Sequence, residues 1–286
     1  MSNATQPTEL AVTEEAAERG FGADEMAAGR FGWASRAVKP TSIAAVILVW
    51  QAVGSLNEWL HLYNPKLFPA PIDVVVSAWK LAQSGVLWVD IYVSSLRVLE
   101  GTLAAAPIAV VFGMLVGRLR WMENTIEPVV ELLRPVPPLA LLPMIILWFG
   151  IGEASKVFFI AYSCFFVIFT SVVVGVRNID PVLLRAGQSL GLRRFQIYRY
   201  VIFPAVLPDI MLGLRLGLSV GFLVIVASEF IAADTGLGYL INYSRTWFRV
   251  GDMLVGAITI GILGVASNYL LVALEKRMFR WRAAAN

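Results

Sequence analysis

The sequence predicts an all-α, polytopic membrane protein with about six transmembrane helices. Its 286 residues are 58% hydrophobic and 15% charged, whereas soluble proteins typically have about 45–50% apolar and about 25% charged residues. The mean hydropathy of +0.72 supports the same class. This composition argues against a soluble enzyme, a disordered chain and a nucleic-acid-binding domain. With one cysteine and one histidine, the chain also lacks the residues for an intrachain disulfide, a cysteine-built metal site or a histidine-based catalytic triad.

Six apolar stretches carry the predicted spans. A bilayer core about 30 Å thick needs about 20 helical residues, and the stretches place spans at about 40–60, 93–118, 127–150, 156–176, 208–231 and 252–274. The fifth reaches this length only by including Arg215, and the third contains several prolines. Between the first two spans, Asp73 and the proline before it predict a short helix over 72–81 at the outer interface. The transmembrane domain is therefore expected over residues 40–280.

The distribution of Lys and Arg predicts that both termini are cytoplasmic. With six spans and an inside N-terminus, 15 of the 23 basic residues fall on the inside, as the positive-inside rule expects. Residues 1–39 are small, polar and rather acidic, and they lack the basic start of a signal peptide. They are expected to form a disordered cytoplasmic tail. A short amphipathic helix lying on the membrane is the alternative.

The third inside loop, residues 180–204, has clear helix signals. Asp180 is a good N-cap and Pro181 suits the first helical position. Gly191 stands where a left-handed residue would end that helix. A second short helix is expected from Arg193 until Pro204 stops it. The loop is therefore predicted to be two short helices with a bend, lying along the inner membrane surface.

The first of these helices has a shallow apolar surface. Leu183, Ala186 and Leu190 recur on one face at helical spacing, and Gly187 adds a second small residue. Another protein's groove could bind such a surface. The same residues would also suit an interfacial helix resting on lipid, with its arginines on anionic headgroups. The residues alone leave both interpretations open.

Several segments carry a resemblance to a known family. The loop pattern of two small residues, three others and a glycine, followed about a dozen residues later by an apolar-proline ending, resembles the EAA loop of ABC importer permeases. Other segments resemble the nitrate, taurine and aliphatic sulfonate branch of that family. These segments are Ser95–Gly101, Leu133–Pro143, Leu147–Gly152, Gly213–Arg215 and Gly236–Gly238. The leading acid of the EAA motif is replaced here, where the sequence reads Arg185-Ala186-Gly187.

The resemblance implies a type I ABC importer permease (MetI-like) fold in the bacterial inner membrane. It implies that two copies of the chain form the pathway, together with two ABC ATPase subunits and a periplasmic or lipid-anchored substrate-binding protein. The cargo would be a small anion such as a sulfonate, taurine or nitrate. The sequence has no Gly-Lys pair and hence no Walker A loop, so ATP and Mg²⁺ are expected on the partner ATPase. The chain itself is expected to bind no cofactor, metal or nucleic acid, and to contact partner proteins and membrane lipid.

In this family the loop docks into the ATPase subunit. The resemblance therefore implies that eight residues of this chain couple it to the ATPase. They are Leu183, Arg185, Ala186, Gly187, Leu190, Gly191, Arg194 and Pro204.

Charged, small and helix-breaking residues inside the spans are candidates for the translocation pathway. A charge at mid-membrane costs about 2.5–3.5 kcal/mol on insertion scales, so charged side chains there should face protein or water. The two arginines would give a cavity a positive field for an anion, whereas Glu229, near the outer end of the fifth span, would orient a gate. The candidates are Arg134, Pro137, Pro138, Arg215, Gly217, Gly221 and Glu229.

Each pathway candidate also has a simpler structural interpretation. The arginines would snorkel to a membrane surface or pair internally, and the prolines would make an ordinary kink. Gly213, Gly217 and Gly221 suit a dimer or pathway contact as well as helix packing. For Gly113 and Gly117, packing within the chain is the favoured interpretation.

Two other function classes fit less well. An ion-coupled secondary transporter is the main alternative, but it would need no docking loop, and the two halves of the chain show no clear inverted repeat. A membrane-embedded enzyme would need convergent catalytic groups, and no such motif is present. The chain is therefore expected to be a permease rather than an enzyme.

Overall fold

The computed structural model describes residues 41–42, 44–57, 59–60 and 67–278. The predicted tail 1–39 and the basic residues after 278 lie outside this part of the chain. The chain divides into two compact units, one ending at Ile72 and one starting at Asp73.

The first unit contains helix α1 (Ala44–Asn57) and the proline-rich segment after it. Trp50 Nε1 donates a hydrogen bond to the carbonyl oxygen of Pro69 over 3.2 Å. Gly54 lies so close to Ala70 that an added Cβ would sit 2.8 Å from the Ala70 Cβ. Residues 69–70 therefore fold back onto α1, and glycine at position 54 is what allows this close approach.

Helices account for nearly all of the described chain after α1. A π-helical turn spans Tyr198–Ile202. The helices are α2 (Pro71–Gln83), α3 (Val86–Arg118), α4 (Arg120–Leu133), α5 (Pro138–Phe149), α6 (Glu153–Arg177), α7 (Pro181–Ser189), α8 (Arg194–Ile197), α9 (Phe203–Ala232), α10 (Leu237–Thr246) and α11 (Val250–Met278).

Four helical segments among the described residues are long and apolar enough to cross a membrane. They are α3, α6, α11 and the continuous stretch Arg194–Ile231, and they contain the spans predicted at 93–118, 156–176, 252–274 and 208–231. The pair α4 and α5 makes a fifth if it is counted as one broken span. Helix α1 is apolar but short, so the first predicted span stays a prediction.

Helices α3 and α6 pack together along most of their length, and glycines line the contact. An added Cβ on Gly113 would lie 2.9 Å from Val172, and one on Gly117 would lie 2.7 Å from Val176. Only a residue without a side chain lets the two backbones approach this closely. These two glycines therefore serve packing within the chain, as the favoured interpretation had it.

The glycine run on α9 makes the same kind of contact. An added Cβ on Gly217 would lie 3.0 Å from Ile168 on α6, and one on Gly221 would lie 2.9 Å from Val98 on α3. Both glycines are buried. The contacts that the run makes in this chain are thus helix packing, and the predicted position of Gly217 and Gly221 on the pathway stays a prediction.

The proline cluster breaks the third predicted span, as its residues suggested. Helix α4 ends at Leu133 and α5 begins at Pro138, and the two helix axes are bent by 97°. Pro137 is the N-cap of α5 in an extended conformation, which a proline ring favours and a continuing helix forbids. Leu142 and Ile145 of α5 are then buried against Phe159 of α6, so the α5 half of the bent segment is packed against α6.

Pro204 does not stop a helix, contrary to the prediction. The chain stays helical from Arg194 to Ile231, and Pro204 lies in the first turn of α9. The π-helical turn just before it explains this, because the N–H of Phe203 donates to the carbonyl of Tyr198, five residues back. The wider turn shifts the hydrogen-bond pattern at the point where proline offers no N–H.

Candidate functional site

Local signals build helix α7 as predicted. Asp180 Oδ1 accepts a hydrogen bond from the N–H of Val182 over 2.8 Å, and Pro181 is the first helical residue. Gly191 follows the helix with φ +75°, the left-handed conformation that favours glycine. The N-cap and the C-terminal glycine are both confirmed, and they fix where α7 begins and ends.

Helix α7 and the turn after it expose an apolar surface. Leu183 is 50% exposed and Leu190 is 80% exposed, and Ala186 between them is exposed as well. Phe195 in α8 is 77% exposed and was not predicted; its signal in the sequence was an aromatic residue directly after Arg193 and Arg194. We call Leu183, Ala186, Leu190 and Phe195 the coupling surface.

Gly187 lies beneath the coupling surface, and its predicted role in ATPase coupling stays a prediction. It is buried, and an added Cβ would lie 3.2 Å from Val201 Cγ2. Gly187 therefore lets α7 pack against the π-helical turn that leads into α9. Arg185 and Arg194 are exposed on the same loop, and Pro204 lies behind it in α9.

A cavity of about 380 Å³ lies beside the break between α4 and α5. Two predicted pathway residues, Arg134 and Pro138, line it, while Pro137 stands between them as the N-cap of α5. Sequence reasoning missed the hydroxyl side chains on its opposite wall, which come from α6. The lining residues are Arg134, Val136, Pro138, Tyr162, Ser163, Phe166, Val167, Thr170, Ser171 and Leu216.

The two predicted pathway arginines have different surroundings. Arg134 Nη2 donates a hydrogen bond to Thr170 Oγ1, and within the described part of the chain no carboxylate forms an ion pair with it. Arg215 instead lies 3.7 Å from Glu275 on α11 and is absent from the cavity lining. The structure therefore brings Arg134 and Pro138 together but does not bring Arg215 to them.

A buried ion-pair network joins α3, α6 and α9. Arg97 on α3 is 4% exposed, and its Nη1 donates to Glu229 Oε1 on α9 over 2.7 Å. Its Nε and Nη2 each donate to the Glu153 carboxylate on α6 over 2.6 Å. Nη1 also donates to the carbonyl of Thr235 over 2.7 Å. One guanidinium thus connects three helices and the loop before α10.

Glu229 is a member of this network and is 0% exposed. It accepts hydrogen bonds from Ser94 Oγ over 2.8 Å and from the N–H of Gly238 over 2.7 Å, besides the one from Arg97. A carboxylate inside the membrane is expensive unless it is paired, and here every neighbour supplies a donor. The side chain is enclosed by its own chain, and the predicted place of Glu229 on the pathway stays a prediction.

The same region holds the loop before α10 in place. The N–H of Gly236 donates to Asp90 Oδ1, and the N–H of Leu237 donates to Ser94 Oγ, both over 2.8 Å. Two of the segments that carried the family resemblance, around Arg97 and around Gly236–Gly238, therefore meet in space. Their shared role in the fold is this network.

Comparison with known families agrees with this arrangement of helices. The family described as "Binding-protein-dependent transport system inner membrane component" matches residues 109–280, more than half of the chain. The chain belongs to this family. The match includes the α4–α5 break, the coupling surface and the ion-pair partner Glu229, but it begins after Arg97.

Curated relatives cover most of the chain. The taurine transport system permease protein TauC of Escherichia coli (strain K12) is 34% identical over 84% of this chain and 88% of its own. The putative aliphatic sulfonates transport permease protein SsuC of Bacillus subtilis (strain 168) is 31% identical, with 88% and 89% covered. The riboflavin transport system permease protein RibX of Chloroflexus aurantiacus is 32% identical, with 89% and 93% covered.

Solved structures support the fold. An inward-facing structure of the MetNI methionine ABC transporter superposes with a TM-score of 0.52 at 19% identity, covering 68% of this chain and 96% of that one. The predicted MetI-like fold is therefore confirmed.

These comparisons also confirm the predicted function class. The chain is an inner-membrane permease subunit of an ATP-driven importer, a transport component rather than an enzyme. Membership of a binding-protein-dependent family implies ATPase and substrate-binding partners.

Proposed function

We propose that this permease conducts a small anion, most simply an organosulfonate such as taurine, through the cavity beside Arg134. The observation that carries the proposal is a cation at a helix break, facing a cavity, without a carboxylate partner among the described residues. A lone charge in a membrane-spanning segment is costly unless water, protein or a ligand compensates it. An anionic cargo would supply that compensation at the moment of passage.

The chemistry of the cavity wall fits an oxyanion. Arginine presents several N–H donors in a planar fork that matches sulfonate, phosphate or carboxylate oxygens. The hydroxyl groups of Tyr162, Ser163, Thr170 and Ser171 donate to backbone carbonyl oxygens, so Arg134 is the donor for an anion. The cavity lining contains no acidic side chain. Relatives named for taurine and aliphatic sulfonates support this choice. The relative named for riboflavin transports a larger molecule without a sulfonate group, for which an unpaired arginine has no evident use.

We further propose that the coupling surface docks into a separate ATPase subunit. Its exposed leucines and phenylalanine are too apolar for a surface that only meets water, and an apolar helix face in a groove is a common mode of protein recognition. In this proposal two copies of the chain and two ATPase subunits assemble, both termini face the cytoplasm, and ATP and Mg²⁺ are bound by the ATPases. Movement of the ATPases would then reach the cavity through α6 and α9.

Uptake into proteoliposomes tests the proposal. The permease is reconstituted with its ATPase and binding protein, and uptake of radiolabelled taurine is measured with and without ATP. The variant Arg134→Gln keeps side-chain hydrogen bonding but removes the charge, so uptake is expected to fall at least about tenfold, equivalent to about 1.4 kcal/mol.

Arg120→Gln is the matched control, because it removes the same charge from the other end of α4. Arg120 is exposed and does not line the cavity, so this variant is expected to transport as the wild type does. Wild-type uptake by Arg134→Gln would refute the anion site. ATP-independent uptake by the wild type would refute the coupling to ATPases.

A further inference from the structure

One face of α6 carries polar side chains that meet α4. Tyr162, Thr170 and Arg177 are spaced by eight and seven residues, about two helical turns each, so they lie in one row. Tyr162 Oη donates to the carbonyl of Leu133 over 3.4 Å, and Arg134 donates to Thr170. Arg177 completes the row at the last turn of α6. Helix α4 thus meets α6 through polar side chains at these three positions.

Arg177 holds two carboxylates of α4 at once. Its Nη2 lies 2.9 Å from Glu123 Oε1 and 2.5 Å from Glu127 Oε2. Glu123 and Glu127 are one turn apart, and Glu131 continues the same acidic row close enough to act on Arg177 electrostatically. Arg177 therefore interacts with the acidic face of α4 rather than with a single carboxylate.

Apolar burial does not fix α4 within this chain. No residue of α4 is buried; Met122, Ile126 and Val130 are half-buried, and Trp121, Val129 and Leu132 are exposed. Side-chain polar contacts therefore contribute much of what holds it to α6. Partly exposed ion pairs are individually weak, so these contacts can break and re-form during a transport cycle.

The contact between α4 and α6 lies between the coupling loop and the cavity. Three residues after Arg177, Asp180 caps α7, so Arg177 lies at the base of the coupling loop. At the other end of α4, Arg134 lines the cavity. Seven residues separate Glu127 from Arg134, about 10 Å along a helix axis. Helix α4 therefore runs from the base of the coupling loop to the cavity.

We propose that Arg177 is a positioning residue of the transport cycle, fastening α4 to the base of the coupling loop so that loop movement is transferred to Arg134. This inference rests on the proposed function, because it needs both a moving loop and a cavity that responds. The ion pair acts as a strut: when α6 and α7 move together, Glu123 and Glu127 carry α4 with them. Rigid elements joined by such contacts transmit discrete movements between distant sites.

Charge reversal tests the strut in the complete complex of permease, ATPase and binding protein in proteoliposomes. The variant Arg177→Glu sets a carboxylate against the acidic row of α4. Assembly and basal ATP hydrolysis are expected to stay at wild-type level. Uptake of radiolabelled taurine and stimulation of ATP hydrolysis by the binding protein are both expected to fall at least about tenfold. A residue with a merely structural role would instead lower assembly and basal hydrolysis.

A charge swap provides the decisive comparison. The double variant Arg177→Glu, Glu127→Arg restores an ion pair with reversed sign and is expected to recover about half or more of wild-type uptake, the coupling that a double-mutant cycle detects. Arg277→Glu, in the last turn of α11, is the matched control and is expected to transport normally. Arg277 forms no ion pair within residues 67–278.

Three outcomes would overturn the strut: normal uptake by Arg177→Glu, failure of the swap to restore uptake, or failure of both Arg177→Glu and the neutral Arg177→Gln to assemble. If the proposed function itself is wrong, the results differ from these. In that case the wild type itself shows neither ATP-driven taurine uptake nor stimulation by the binding protein. If the binding protein stimulates ATP hydrolysis but taurine is not taken up, only the proposed cargo is rejected. Stimulation of ATP hydrolysis would then serve as the measurement that tests the strut.

Discussion

Replacing Arg97 by alanine is expected to lower the free energy of unfolding of the helix bundle by about 3–5 kcal/mol, the usual cost of removing one partner from a buried ion pair. The variant leaves the fully enclosed Glu229 without its cation and takes two short hydrogen bonds from Glu153. It also frees the carbonyl of Thr235 in the loop before α10. The measurement is the apparent unfolding temperature of the purified protein in detergent micelles, followed by circular dichroism.

Arg177→Ala is the matched control for this experiment. Arg177 also pairs with two carboxylates, but all three side chains are partly exposed. Exposed pairs contribute about 0.2–1 kcal/mol each, so the unfolding temperature of this variant is expected to change far less. Equal unfolding temperatures for the two variants would show that burial of the Arg97 network does not stabilise the bundle.

Local sequence signals were enough to predict helix α7. Its start depends on Asp180 and Pro181 and its end on Gly191, all within eleven residues of one another. Capping and left-handed glycine conformations are decided by neighbours along the chain, which is why the structure agrees there. The exposed row of Leu183, Ala186 and Leu190 follows directly from the same helical spacing.

The ion-pair network could not be predicted in the same way. Arg97 and Glu229 are separated by more than 130 residues, and their pairing depends on how α3, α6 and α9 pack. The sequence shows only that each charge stands in or near a span, which is compatible with a cavity, a snorkelling side chain or a buried pair. Glu229 was therefore expected to orient a gate, and the sequence could not show that its neighbours are donors from its own chain.

The prolines include one case that the sequence predicted and one that it did not. The closely spaced Pro135, Pro137 and Pro138 indicated the break between α4 and α5, because a helix cannot satisfy so many missing N–H groups. Pro143, by contrast, lies inside α5. Pro204 was expected to stop a helix and did not, since a single π-helical turn before it absorbs the lost hydrogen bond. Whether one proline ends a helix depends on the backbone conformation around it, which the residue type alone does not determine. The cavity beside Arg134 could not be predicted from the sequence either, because its opposite wall is formed by a different helix, α6.

Replacing Ala186 by aspartate is expected to abolish ATP-driven uptake while leaving the permease folded and inserted. Ala186 lies between Leu183 and Leu190 on the coupling surface and is exposed, so a larger side chain meets no obstacle within the chain. In the proposed complex the new carboxylate would be buried in an apolar contact without a partner, at a cost of several kcal/mol. Affinity for the ATPase subunit is then expected to fall at least about 100-fold. The measurements are co-purification with the ATPase subunit and uptake in proteoliposomes.

Gln188→Asp is the matched control, because it adds the same charge in the same helical turn. Residue 188 lies about 200° around the helix from residue 186, away from the coupling surface, and Gln188 is exposed. Its variant is expected to bind the ATPase and to support uptake. Gly191→Asp is a less selective probe, because φ of +75° at that position adds backbone strain to the charge. If Ala186→Asp and Gln188→Asp both transport normally, α7 is not the element that contacts the ATPase. If both fail equally, charge near the loop matters but the apolar face does not, and the docking geometry proposed for α7 is wrong.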